Sequence, residues 1–276
     1  FIRGEDSGVK IGKQEFDTEH QTYIMGILNV TPDSFSDGGK YNRLDKALYR
    51  AEEMLREGAA ILDVGGESTR PGYTKISDEE EIQRTAPVIE ALTARFDAPV
   101  SVDTYKSRVA EAAVRAGASL INDIWGFKAD PDMARTAAES GAACCLMHNR
   151  QEAVYGDFMK EVAEDLMESV GLARAAGVAD DRIILDPGVG FAKSYEQNLE
   201  VIARLEELCR LGFPVLLGTS RKSVIGRTLD LPADQRVEGT LVTTVYGVQK
   251  GCAFVRVHDI KENRRAVQMT RALMRG

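Results

Sequence analysis

Eight repeats of a short apolar run followed by an amphipathic stretch predict an α/β protein with a (β/α)8 TIM-barrel fold. The 276-residue chain reads as a single barrel domain over residues 23–276, with a short hairpin-like N-terminal extension over residues 1–22. Two observations support this. Several runs are apolar at nearly every position, as strands covered on both faces of a parallel sheet must be. In addition, Pro, Gly and Ser occur as short punctuation, never as a linker-like tract. A doubly wound open sheet is the main competitor, but such sheets usually have fewer units or a second domain.

The segment Gly4 to His20 comes first, and the alternation in Val9-Lys10-Ile11 suggests a small hairpin capping the barrel bottom. The strand runs are then Tyr23–Leu28, Ala60–Val64, Pro99–Val102, Ser119–Ile121, Ala143–Met147, Ile183–Leu185, Pro214–Leu217 and Ala253–Val257. Between the first two, Arg43 to Glu57 places Leu44, Ala47, Leu48, Ala51, Met54 and Leu55 on one helical stripe, and Gly58 supplies the stop. Ser77-Asp78-Glu79-Glu80 is a capping-box-like start for a helix running toward Phe96. Lys106–Ala116 ends at Gly117, and Tyr155–Ala176 ends at Gly177.

With 43% hydrophobic and 28% charged residues, the composition is that of an ordinary soluble globular protein. A formal charge of −8 argues against a nucleic-acid footprint, which needs clustered Lys and Arg. No apolar stretch approaches the roughly 20 residues of a membrane span. The first residues do not resemble a signal peptide, so a cytoplasmic location is expected. The cysteines Cys144, Cys145, Cys209 and Cys252 form no CxxC pair and read as free thiols in a reducing compartment.

In a barrel of this kind, chemistry sits at the C-terminal ends of the strands. Polar residues gather there in this sequence: Asn29, then Glu67 to Gly72, Asp103, Asn122-Asp123, Met147-His148, Asp186, Ser220-Arg221-Lys222, and Arg256 with His258. Asp103-Thr104 could merely cap the next helix, and Asp186-Pro187-Gly188 could be only a turn. Convergence favours a pocket instead. Asp103, Asn122, Asp186 and Lys222 would point into one mouth and suit a heterocycle with several donors and acceptors. Arg256 and His258, two apart on one strand, share a face, and with Arg70 and Asn29 they could hold a polyanion. Arg256 could alternatively form a salt bridge with an inward Asp, and His148 could do no more than line the mouth or satisfy a backbone group. The stretches Thr31–Gly39 and Gly65–Gly72 are rich in Gly, Pro and small polar residues and read as substrate-ordered lids, with Phe35 as an aromatic that needs something to stack on.

The motifs Ile24-Met25-Gly26-Ile27-Leu28-Asn29-Val30-Thr31-Pro32-Asp33-Ser34-Phe35-Ser36-Asp37-Gly38 and Asp63-Val64-Gly65-Gly66-Glu67-Ser68-Thr69-Arg70-Pro71-Gly72 resemble the two signatures of dihydropteroate synthases. Val102-Asp103-Thr104, Ile121-Asn122-Asp123, Asp186-Pro187-Gly188, Ser220-Arg221-Lys222-Ser223 and Val255-Arg256-Val257-His258-Asp259 follow in order. The resemblance implies a pterin pocket of Asp103, Asn122, Met147, Asp186, Lys222 and Arg256. It implies pyrophosphate at Asn29, Arg70, Arg256 and His258, with Mg2+ bridging to Asn29. It places p-aminobenzoate at Phe35, Thr69, Pro71, Lys222 and Ser223, and implies a homodimer packed through late barrel helices and a sulfonamide target. Asp103, Lys222, Arg256 and His258 would carry catalysis. Ala192 stands where the family usually has Gly, Gln197 where His is common, and Val224 where Phe is common; Met147-His148-Asn149 also differs slightly from the usual ending. Two rival functions remain at this point. One is a pterin-dependent methyltransferase on the same barrel, which needs neither Ser220-Arg221-Lys222 nor Arg256-Val257-His258. The other is a Schiff-base aldolase using Lys222.

Overall fold

The computed structural model describes residues 8–31, 40–67 and 74–275. The N-terminal strands β1 (Gly8–Ile11) and β2 (Gln14–Asp17) pair antiparallel, with Val9 opposite Phe16. The barrel strands follow as β3 (Tyr23–Asn29), β4 (Ile61–Gly65), β5 (Val100–Asp103), β6 (Leu120–Asp123), β7 (Ala143–Met147), β8 (Ile183–Asp186), β9 (Leu216–Leu217) and β10 (Phe254–Val257). They pair in parallel in the order β8-β7-β6-β5-β4-β3-β10-β9. A single parallel bridge from Leu185 to Val215 brings the two ends of the sheet together.

All eight predicted runs are strands, displaced by a residue or two at their ends. The largest difference is at β9, where the run Pro214–Leu217 keeps only Leu216–Leu217 as regular strand and the chain turns at Ser220–Arg221. The outer layer is helical: α1 (Lys40–Glu57), α2 (Asp78–Arg95), α3 (Ser107–Arg115), α4 (Met133–Ser140), α5 (Phe158–Ala176), α6 (Tyr195–Ala203), α7 (Leu205–Cys209), α8 (Ser223–Leu229), α9 (Val237–Lys250) and α10 (Ile260–Arg275). Ser77 caps α2 as its sequence suggests, its side chain accepting from the Glu80 N–H.

Side-chain alternation along the strands divides the interior in two. Outward positions such as Leu62, Val64, Ile121, Leu185 and Val255 pack against the helices in one continuous core. Inward positions near the strand starts, including Met25, Ile61, Leu120, Ile184 and Phe254, form a second core with Val9, Ile11 and Phe16 of the hairpin. The hairpin therefore plugs the N-terminal end of the barrel, as the alternation in Val9-Lys10-Ile11 suggests. Each of its three buried side chains contributes about 2 kcal/mol of burial, enough to hold two short strands that would be marginal alone. With the bottom filled by apolar side chains, the next inward positions toward the strand C-termini are left for polar groups.

Candidate active site

Strand parity decides which side chains meet at the mouth. Two residues beyond the apolar plug, the inward positions hold Asp63 after Ile61, Asn122 after Leu120, Asp186 after Ile184 and Arg256 after Phe254. Asp103 and Asn29 end their strands at the same level, and Asn29 pairs in register with Gly65, which pairs with Asp103. Met147 is buried and lies in register with Asp186.

Arg256 is the hub. Its Nε donates to Asp63 Oδ2 at 2.6 Å and its Nη2 to Asp103 Oδ2 at 2.7 Å, so one planar guanidinium bridges two strands. Asn122 Nδ2 donates to the same Asp63 oxygen at 3.3 Å. The salt bridge with inward aspartates is therefore formed, and it lies inside the proposed pocket. Burial pushes Asp103 up to about 7; Arg256 pulls the other way, and the neighbouring Asp63 carboxylate adds to the rise. Arg256 itself is held above its ordinary range, the two carboxylates outweighing its burial. Asp103 Oδ1 and Asp63 Oδ1 are buried with no hydrogen-bond partner among the described residues. An orphaned buried carboxylate oxygen at a barrel mouth is an acceptor waiting for a ligand N–H.

Asp186 and Lys222 form the other wall. Asp186 Oδ1 accepts from the Gly188 N–H at 2.7 Å, so the turn suggested by Asp186-Pro187-Gly188 exists and at the same time orients the carboxylate. Burial raises Asp186 above the usual carboxylate range, against the pull of Lys222. Burial lowers Lys222 to about 8, although Asp186 holds its charge up. Lys222 Nζ donates to the Val189 carbonyl and lies 5.1 Å from the centre of the Phe191 ring. Gly218 lies between them: a Cβ there would sit in van der Waals contact, 3.8 Å, with both Asp186 Oδ2 and Lys222 Nζ.

His258, just beyond β10, places Nδ1 2.8 Å from Ser220 Oγ, which also accepts the His258 N–H at 3.1 Å. Arg221 donates to both Asp259 oxygens, at 3.2 and 2.6 Å, tying the 219–222 turn to the end of β10. Ser223 is exposed at the first turn of α8. Asp103 does not cap α3; the Ser107 N–H is held by Asp130 instead, at 2.7 Å.

The pterin-binding enzyme family matches residues 25–258. A dihydropteroate synthase of Clostridium beijerinckii is 58% identical over 268 residues, which is 97% of this chain and all of the relative. The chain belongs to the dihydropteroate synthase family. A Clostridium difficile member of that family, crystallised in the presence of pteroic acid, superposes with a TM-score of 0.92 at 50% identity, over 95% of this chain and 100% of the other. A Xanthomonas albilineans member with 4-aminobenzoic acid gives 0.92 at 39% identity, over 98% of each chain. Membership makes this chain a transferase that forms a carbon–nitrogen bond in folate synthesis, and it removes the methyltransferase and aldolase readings.

Of the family positions named from the sequence, Asn29, Asp103, Asn122, Met147, Asp186, Lys222, Ser223, Arg256 and His258 are described. Phe35, Thr69, Arg70 and Pro71 lie outside the described residues, as do most of the two stretches read as lids. Sequence reasoning passed over Asp63, which carries half of the Arg256 fork; its place two residues after an inward Ile61 was the available signal. It also passed over Lys193 and over Lys106, whose Nζ joins Glu67 at 2.8 Å and Glu81 at 2.7 Å behind β4. His148 neither lines the mouth nor serves a backbone group through its ring: it is buried between Asp165 and Lys193.

Proposed function

We propose that the chain condenses 6-hydroxymethyl-7,8-dihydropterin pyrophosphate with p-aminobenzoate, giving 7,8-dihydropteroate and pyrophosphate. The observation that carries the site assignment is the unpartnered, buried Asp103 Oδ1, on a residue in register with Asn122 and within electrostatic reach of Lys222, which Asp186 also faces. Ring N–H and amino groups of a pterin would supply the donor that this oxygen lacks and a further one to Asp186, Asn122 can both donate and accept, and Lys222 would donate to the ring carbonyl. Pteroic acid and 4-aminobenzoic acid, found with the two crystallised relatives, are the product skeleton without its reduced ring and the second substrate.

The reaction breaks the bond between the pterin methylene carbon and the pyrophosphate oxygen and forms one from that carbon to the aryl amine. Arg256 and His258 would hold the departing anion, and the Asp103 and Asp186 carboxylates would offset positive charge growing on the pterin. The aryl amine attacks as the neutral base and, once bonded, sheds one N–H proton to the released pyrophosphate or to water, so no strong general base is needed. Asn29 offers a hard side-chain oxygen at the end of β3, and Gly65 leaves room for it: a Cβ there would come within 3.4 Å of Asn29 Oδ1. That donor fits Mg2+, which takes one or two protein oxygens and fills its shell with water and substrate phosphates. Bound there, Mg2+ would supply charge neutralisation for the pyrophosphate. Phe35, Thr69, Pro71 and Ser223 are assigned to p-aminobenzoate and Arg70 to pyrophosphate by family position, and sulfonamides carrying the same aryl amine would compete at the p-aminobenzoate position.

We further infer a homodimer through the late helices, because Leu229 on α8 and Val242 and Tyr246 on α9 leave large apolar surface exposed. No described helix is long and apolar enough to cross a membrane. A cytoplasmic location fits the unpaired thiols.

Calorimetric titration with the pterin substrate tests the site. Asp186→Ala should bind more weakly by about 2–4 kcal/mol, the loss of a charged acceptor facing buried ring donors. Unchanged affinity would remove Asp186 from the pocket.

A further inference from the structure

Behind the Asp186–Lys222 wall lies a half-buried polar chain, centred on the buried His148, that the reaction itself does not use. Arg150 Nε donates to Asp165 Oδ2 at 2.6 Å, and the same oxygen lies 3.0 Å from His148 Nε2. His148 Nδ1 is 2.7 Å from Lys193 Nζ. Against the upward push of burial, Arg150 helps to hold the Asp165 carboxylate below its usual range, so Asp165 takes the Nε2 proton, and in the neutral ring Nδ1 is left as the acceptor for Lys193, whose own pKa burial lowers to about 7. Lys193 Nζ also donates to Gly188 O at 3.0 Å and Phe191 O at 3.1 Å, so its three protons meet three acceptors.

Those two carbonyls bracket the backbone that touches the pocket. Gly188 N–H holds Asp186, the Val189 carbonyl receives Lys222, and Phe191 presents its ring to Lys222. The segment has no regular hydrogen-bond ladder, and it turns through positive φ at Gly188 (68°), Gly190 (88°) and Ala192 (45°). Gly188 is pressed against the His148 backbone, where a Cβ would lie 2.0 Å from its carbonyl oxygen. Backbone of this kind keeps one shape only where its surroundings over-determine it. Asn198 secures the far side, accepting the Gly190 N–H at 2.6 Å. Lys193 secures the near side.

We propose that Lys193, held by His148 and Asp165, is a positioning residue for pterin recognition: it sets the 187–191 backbone so that Asp186 and Lys222 meet the ring together. The inference rests on the assignment of Asp186 and Lys222 to the pterin. His148 acts through Lys193, supplying an acceptor that is neutral and rigidly oriented.

Steady-state kinetics on three variants test it, with Asp186→Ala as the control for the underlying assignment. Lys193→Met should raise the KM for pterin pyrophosphate about tenfold or more, while the KM for p-aminobenzoate changes less than about threefold. His148→Phe removes the acceptor and should behave in the same way, which keeps the test available if Lys193→Met does not fold. His148→Gln can accept from Lys193 and donate to Asp165 at once, so it should restore the pterin KM to within about threefold of the parent. A purely structural role would lower the melting temperature of Lys193→Met and His148→Phe and leave the pterin KM of the folded protein unchanged; that result overturns the proposal. If Asp186→Ala weakens pterin binding while both of these variants keep the parent KM, only the positioning role fails. If Asp186→Ala itself has no effect, the underlying assignment fails and the proposal falls with it.

Discussion

Arg256 shows how one side chain can serve both the fold and the site. Its guanidinium holds two buried carboxylates on neighbouring inward positions, and the same planar group faces the pocket. Lysine could keep the charge but could not span Asp63 and Asp103 with one ammonium. Arg256→Lys should therefore lose about a hundredfold in kcat/KM in steady-state assays, on the scale of removing a preorganised donor to a leaving anion; full activity would refute both roles. Arg256→Ala should harm turnover, and the lost ion pairs add a folding cost of about 3 kcal/mol where both carboxylates are charged. The pH sign follows from Asp103. Its pKa is raised from 3.8 to about 7, so its contribution to stability is full below 3.8 and is lost as pH rises through about 7. Without Arg256 that rise becomes larger, because the cation that opposes it is gone. Urea denaturation should thus find the Arg256→Ala deficit smaller near pH 5, where only the Asp63 pair is lost, than above pH 8, and a deficit independent of pH would mean that Asp103 is not coupled to Arg256.

Individual elements were readable from the sequence to the extent that local chemistry defines them. The strands were clear because burial on both faces writes itself as continuous apolar runs, and α2 because Ser77 and its acidic first turn mark a helix start. The break between α6 and α7 at Arg204 was not readable, since no Gly or Pro marks it. The departures near β8 now have physical explanations. Gln197 completes a capping box on α6: Ser194 Oγ accepts the Gln197 N–H at 3.1 Å and Gln197 Oε1 accepts the Ser194 N–H at 2.8 Å. Val224 is buried in the core at the start of α8. Ala192 occupies the left-handed region at φ 45°, where a Cβ is strained and glycine is not. Its carbonyl is fixed by the Tyr155 hydroxyl at 2.7 Å, which holds the conformation in place. Ala192→Gly should relieve that strain and, after the entropy of a freer unfolded chain, stabilise the protein by about 0.5–1 kcal/mol. A lower denaturation midpoint for this variant would show that Ala192 is not strained.

At the scale of the molecule, the barrel sorts its inward positions by height, with apolar side chains from seven of the eight strands and the hairpin below and polar side chains above. That sorting explains how much of the site could be read in advance. Residues at strand ends, such as Asp103, Asn122, Asp186 and Arg256, stand out because a polar group after a buried run has few other reasons to be there. Asp63 did not stand out, since it sits within its run, and the Lys193–His148–Asp165 chain did not, since its members are joined only by tertiary contacts. The same architecture underlies the central proposal: the mouth would gather a pterin ring, a pyrophosphate and an aryl amine, so that the carbon left cation-like by the departing pyrophosphate is attacked by the amine. The most direct measurement is pyrophosphate release from 6-hydroxymethyl-7,8-dihydropterin pyrophosphate with Mg2+, followed with and without p-aminobenzoate. Sustained release that requires the amine and matches dihydropteroate formation one for one is the predicted result. Tight pterin binding with no amine-dependent release would contradict it and leave the barrel a pterin-binding protein without this reaction.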